Sequence, residues 1–195
     1  RPRGLFMEAI LTSTAVVALA EIGDKTQLLA ILLATRFKRP LPIIFGILVA
    51  TLANHALAAL VGAEAAALLD SNIFRYVIAA SFLAMAVWTL IPDKLDDDEA
   101  PKPRFGAFLT TLVAFFLVEM GDKTQVATIA LGAQYQSVLA VTAGTTLGMM
   151  MANVPAIFLG HELLKRVNLK TVRMITAALF LVIGLWVIAQ TAGWL

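Results

Sequence analysis

No cysteine occurs in the chain, which removes disulfides and thiolate metal ligands together and leaves the redox compartment open. Any metal it binds must be held by oxygen or imidazole. Charge is scarce as well: 14% of the 195 residues are Asp, Glu, Lys or Arg, and the formal net charge is only +2. So small an excess does not point to nucleic acid as a partner. There is no HExxH zinc motif and no phosphate-binding glycine loop. What is abundant is apolar. Hydrophobic residues make up 60% of the chain, against about 45–50% in soluble domains, and mean hydropathy is +0.87. The composition is that of an integral membrane protein, with the lipid bilayer as its solvent.

Apolar runs extend over Phe6–Thr35, Leu41–Leu69, Ile73–Ile91, Phe105–Leu131, Ser137–Leu164 and Thr171–Leu195. Each can supply the ~20 residues of a spanning helix. The expected fold is therefore all-α, with six transmembrane helices. The first run lacks the short apolar core and small-residue cleavage site of a secretory signal, so it is expected to stay in the mature protein. Whether Arg1–Phe6, ahead of Met7, is native is left open.

Two of these runs carry charges that hydrocarbon should exclude. EIGDKTQ occupies Glu21 to Gln27 and EMGDKTQ occupies Glu119 to Gln125, 98 positions apart. A charge at the bilayer centre costs about 2.5–3.5 kcal/mol on insertion scales, so such residues are usually placed for function. The self-similarity continues beyond the motifs: Gly46 and Gly62 recur as Gly144 and Gly160, and Ala53-Asn54 as Ala152-Asn153. We read a tandem duplication of three helices. Three is odd, so the second copy enters from the opposite side, giving two inverted three-helix repeats whose motifs meet near the midplane. The first repeat is expected at 1–92 and the second at 105–195, joined by an acidic linker at 93–104 whose run Asp96 to Glu99 reads as a solvated connection.

Basic residues assign the sides. Arg36, Lys38, Arg39, Lys94, Lys102, Arg104, Lys165, Arg166, Lys170 and Arg173 fall on one side, and only Arg1, Arg3 and Arg75 on the other. The positive-inside rule places the first set and the linker in the cytoplasm and both termini outside. A bacterial inner membrane or an organellar membrane fits.

On a continuous helix, Glu21, Asp24 and Lys25 share a face with Gln27 beyond them, as Glu119, Asp122, Lys123 and Gln125 do in the second copy. Gly23 and Gly121 would loosen the helix there. Thr26 and Thr124 add hydroxyls. With all groups ionised, four carboxylates and two ammonium groups leave a deficit that one divalent cation neutralises. Carboxylate, amide and hydroxyl oxygens suit Mn²⁺, Ca²⁺ or Mg²⁺ better than copper or zinc. The expected metal ligands are Glu21, Asp24, Glu119, Asp122, Thr26, Thr124, Gln27 and Gln125, with Lys25 and Lys123 as tuning groups or internal cations. Asn54 and Asn153 stand in second rank. Structural ion pairs, Glu21 with Lys25 and Glu119 with Lys123, are the plainer alternative, but buried pairs are poor stabilisers and each motif holds an extra Asp. His55 has no counterpart, since Val154 follows Asn153, and His161 lies near a loop; both read as packing or surface residues.

Paired Glu-x-Gly-Asp-Lys-Thr motifs in two three-helix halves resemble the cation transporter family that includes transmembrane protein 165, the calcium:cation antiporter-2 family. The resemblance runs from about Met7 to Leu195. It implies export of Mn²⁺ or Ca²⁺ from the cytosol in exchange for protons, with Glu21, Asp24, Glu119 and Asp122 binding the ion. Mn²⁺ or Ca²⁺ is then cargo, and no resident cofactor is expected. An exporter of a cationic amino acid or other small solute is the alternative. An intramembrane aspartyl protease fits less well, because it needs two different Asp motifs. Preferred ion and oligomeric state are not legible.

Overall fold

The computed structural model describes residues 3–92 and 105–194, so the expected linker at 93–104 lies outside the described residues. Among the described residues the secondary structure is all helical: α1 (Arg3–Glu21), α2 (Lys25–Phe37), α3 (Pro40–Leu68), α4 (Asn72–Trp88), α5 (Ala107–Glu119), α6 (Lys123–Tyr135), α7 (Val138–Leu159), α8 (His161–Arg166) and α9 (Leu169–Thr191). Local chemistry sets several of the boundaries. Pro40 opens α3 at the first helical position, where its missing N–H costs nothing. Ser71 and Asn168 cap α4 and α9 by accepting from the amides of Phe74 and Thr171. Lys38 and Gln136 end α2 and α6 in the left-handed conformation, at φ 52° and 47°.

Four helices are long and apolar enough to cross a bilayer: Gly4–Glu21 within α1, then α3, α7 and α9. At 17 residues α4 reaches the lower end of the usual range. The first and fourth apolar runs depart from the expected single helices, because each breaks in two at its motif. In the fourth run the pieces α5 and α6 have 13 residues each, about 20 Å apiece at 1.5 Å per residue.

The helices of one half pack chiefly on those of the other. α1 lies along α7, α3 lies against α5, α6 and α7, and α4 pairs with α9. Glycines permit the closest approaches. A Cβ on Gly46 of α3 would stand 2.8 Å from the carbonyl oxygen of Phe108 in α5, and one on Gly144 of α7 would stand 2.6 Å from that of Ile10 in α1. The two contacts are repeat-related: Gly144 lies 98 positions beyond Gly46, and Phe108 lies 98 positions beyond Ile10. Phe82 of α4 and Phe180 of α9, again 98 apart, meet each other with ring centroids separated by 6.4 Å.

Polarity is distributed inside out relative to a soluble protein. Leu11, Phe45, Leu57, Phe158 and Val182 are all more than half exposed, whereas Glu21, Asp24, Glu119, Asp122 and Lys123 are buried. The exterior is apolar, and the few charged side chains are kept from lipid by burial in a mainly apolar interior.

Candidate functional site

Each motif is a helix break. At the first, Gly23 adopts φ +79°, the amide of Asp24 bonds back to the carbonyl of Glu21 at 3.0 Å, and α2 starts at Lys25 with Asp24 as its N-cap. At the second, Gly121 adopts φ +77°, Asp122 bonds back to Glu119 at 3.1 Å, and Asp122 caps α6. Positive φ is cheap only for glycine, which explains why the break falls there. The shared helical face expected for Glu21, Asp24 and Lys25 is therefore replaced by a turn that puts Glu at one helix end and Asp and Lys at the start of the next.

The glutamines hold these turns. Gln27 accepts the Gly23 amide on Oε1 at 2.8 Å and donates from Nε2 to the carbonyl of Ala152 in α7 at 2.9 Å. Gln125 accepts the Gly121 amide at 2.6 Å and donates to Oδ1 of Asn54 in α3 at 2.9 Å. Each glutamine thus ties its own break to a helix of the opposite half, a role distinct from the ligand role expected from sequence. Asn54 takes part through that bond, while Asn153 donates to the Met149 carbonyl within α7 at 3.0 Å.

The two motifs approach each other at Asp122. Asp122 lies within side-chain hydrogen-bonding reach of Asp24 and within electrostatic reach of Glu119 and Lys25. Lys25 Nζ stands 3.9 Å from Asp122 Oδ2. Thr26 directs its hydroxyl to Asp24 Oδ2 at 3.5 Å, and Thr124 donates to Glu119 Oε1. Lys123 donates from Nζ to the carbonyl of Ile91, beyond the end of α4, at 2.9 Å. Glu21, the last residue of α1, is wholly buried. Among the described residues, no three acidic or imidazole side chains already stand together as a metal cage.

One residue was read differently from sequence. His55 is not passive packing: it is wholly buried, with Nε2 3.4 Å from Glu119 Oε1. The available signal was its place directly after Asn54 in a buried stretch; the missing counterpart obscured it. His161 is exposed at the start of α8, as expected.

Cavities occur beside the first motif and at one end of the helices. One of about 10 Å³ lies beside Asp24 and is bounded by Gly23, Thr89, Lys123, Arg173 and Thr176. The other, about 410 Å³, opens where α1 and α4 begin and α6 and α9 end, and is lined among others by Glu8, Asp70, Arg75, Tyr135 and Gln190.

An all-helical membrane protein that buries paired acidic motifs at two helix breaks belongs to the class of membrane transport proteins. A sequence model described as the divalent cation/proton antiporter GDT1 matches residues 9–97 and 107–194, and the chain belongs to that family. It is 52% identical over 180 residues to a proposed manganese exporter of Vibrio cholerae serotype O1, covering 92% of this chain and 90% of the relative. It is 28% identical to GDT1-like protein sll0615 of Synechocystis, covering 89% of this chain and 93% of the relative. With GDT1-like protein 5 of Arabidopsis thaliana the identity is 26%, over 93% of this chain and 96% of the relative. No solved structure matches the chain.

Proposed function

We propose that the chain exports Mn²⁺ from the cytosol in exchange for protons, through one site assembled from both motifs within the membrane. The observation that carries this reading is the meeting of the halves at Asp24, Lys25 and Asp122. Two buried carboxyl groups so close repel each other unless a proton or a metal cation stands between them. Occupancy by one excludes the other, which couples the two fluxes at a single place. Glu21 and Glu119 complete the ligand set, with Thr26 and Thr124 in support. Lys25 balances the cluster when no metal is bound. The ion preference follows from oxygen chemistry and from the manganese-exporting role proposed for the Vibrio relative.

Six spans in two inverted repeats would let one half rock against the other around this site. The recurrence of the breaks, of the left-handed caps at Lys38 and Gln136, and of the Gly46 and Gly144 contacts supports that architecture. The repeats take 1–92 and 105–195, with 93–104 as a cytoplasmic linker and the termini on the far side of a bacterial inner membrane or its organellar equivalent. The cavity of about 410 Å³ then serves as the outward vestibule. Export of a cationic amino acid is the weaker reading, since the matching family is described by divalent cations and the Vibrio relative by manganese.

The test is flux in proteoliposomes loaded with a pH indicator, comparing Mn²⁺, Ca²⁺, Mg²⁺, Zn²⁺ and arginine. Mn²⁺ movement with opposite proton movement is expected. Arginine flux without metal flux would overturn the assignment.

A further inference from the structure

Glu119 is restrained at one oxygen and open at the other. Thr124 Oγ1 and His55 Nε2 both approach Oε1, whereas Oε2 is buried and has no hydrogen-bond partner. An ionised carboxylate can only accept, so with Glu119 charged the imidazole presents its Nε2 proton to Oε1. His55 is wholly buried. The first motif lacks this arrangement. Val154 occupies the place that corresponds to His55, and Thr26 turns its hydroxyl to Asp24 instead.

We infer that His55 sets the ion preference of the site by confining Glu119 to single-oxygen coordination; this rests on the transporter reading above. A carboxylate clamped at Oε1 offers an ion Oε2 alone. To chelate through both oxygens it would first have to shed two hydrogen bonds in a buried place. Ca²⁺ gathers 6–8 oxygen ligands at about 2.3–2.6 Å and commonly draws on bidentate carboxylates, whereas smaller octahedral ions are satisfied with one oxygen from each ligand. The clamp therefore penalises Ca²⁺ and spares Mn²⁺. His55 acts through Glu119, as a positioning residue.

The experiment measures Mn²⁺ binding to the full chain in detergent, by the paramagnetic resonance signal of free Mn²⁺, with Ca²⁺ as competitor. Mn²⁺ transport under the same competition is read in proteoliposomes. His55→Val installs the residue of the other half and should lower the Mn²⁺-to-Ca²⁺ preference severalfold, up to about the tenfold by which losing an outer hydrogen-bond partner changes metal affinity. His55→Gln keeps a donor and should stay close to the wild-type ratio. Thr124→Val removes the other donor and should shift preference the same way, which provides a reading if His55→Val does not fold. A wild-type chain that binds Mn²⁺, with unchanged preference in the folded valine variants, overturns this inference alone. So does a His55→Gln shift as large as that of His55→Val. A wild-type chain that binds neither ion overturns the transporter reading and this inference with it.

Discussion

Lys25 Nζ faces Asp122 Oδ2 at 3.9 Å, so an ammonium from the first motif meets a carboxylate from the second. The pair crosses between the halves instead of closing within one motif, and it joins two helix breaks whose relative position must change if one half moves against the other. Groups in contact are energetically coupled by about 0.5–3 kcal/mol, whereas distant ones add independently. A double-mutant cycle on Lys25→Met and Asp122→Asn, read as thermal stability in detergent, should therefore show coupling of that size. Simple additivity would mean that the two groups do not interact in the folded protein.

The breaks themselves give a stability prediction. Gly23 and Gly121 have nearly the same left-handed φ, so alanine at either costs roughly 1–2 kcal/mol from conformation alone. Their surroundings differ. A Cβ on Gly23 would lie 2.7 Å from Leu169 Cδ2, while one on Gly121 meets nothing within 4 Å. Gly23→Ala should lower the melting temperature more than Gly121→Ala, and Gly23→Ala with Leu169→Ala should narrow that difference. Two equal effects would show that Leu169 yields freely.

Removal of one acidic ligand should stop transport without expelling the protein from the membrane. Glu21→Gln and Glu119→Gln preserve size and polarity but remove a negative charge from a buried cluster. Loss of an outer hydrogen-bond partner alone costs about 10–100-fold in metal affinity, so loss of a ligand should cost at least as much. Mn²⁺ flux measured against the amount of protein in the vesicles checks this. Full flux in either variant would rule out a site shared by both motifs.

The pattern of apolar runs was enough to read an all-helical membrane protein, and the recurrence of EIGDKTQ and EMGDKTQ at 98 positions was enough to pick out the buried acidic residues. The break was only half legible. Glycine in the motif signals a weak point, but spacing alone also allows Glu21, Asp24 and Lys25 to share a helix face, and what decides is the positive φ that Gly23 takes once Gln27 accepts its amide. The work of Gln27 and Gln125 depends on partners 125 and 71 residues away, so no local pattern reveals it. His55 was hidden for a related reason. Its meaning lies in Glu119, 64 residues away, and duplication directs attention to what recurs instead of to what one half adds.

Topology can be tested cleanly because the chain has no cysteine to give background labelling. A single cysteine replacing Asp97 should react with an impermeant thiol reagent only from the cytoplasmic side. One replacing Trp194, which is highly exposed, should react only from the other. Labelling of both from one side would exclude an even disposition of the halves about the membrane and with it the inverted repeat.

Proton coupling is the most consequential expectation. Metal binds to carboxylates only in their ionised form, so protons and Mn²⁺ compete for the same oxygens, and each bound metal ion displaces whatever protons the cluster held. Apparent Mn²⁺ affinity should therefore fall as pH is lowered and rise as it is raised, whereas a site of neutral oxygens, which do not titrate, would show no such dependence. In proteoliposomes an imposed proton gradient should drive Mn²⁺ against its own gradient, and Mn²⁺ entry should expel protons into a weakly buffered medium. Asp24→Asn should uncouple or abolish both movements together, since it removes one of the two groups that share the exchange. Mn²⁺ that moves only downhill, with no pH change and no response to the proton gradient, would identify a channel or uniporter and end the antiport mechanism.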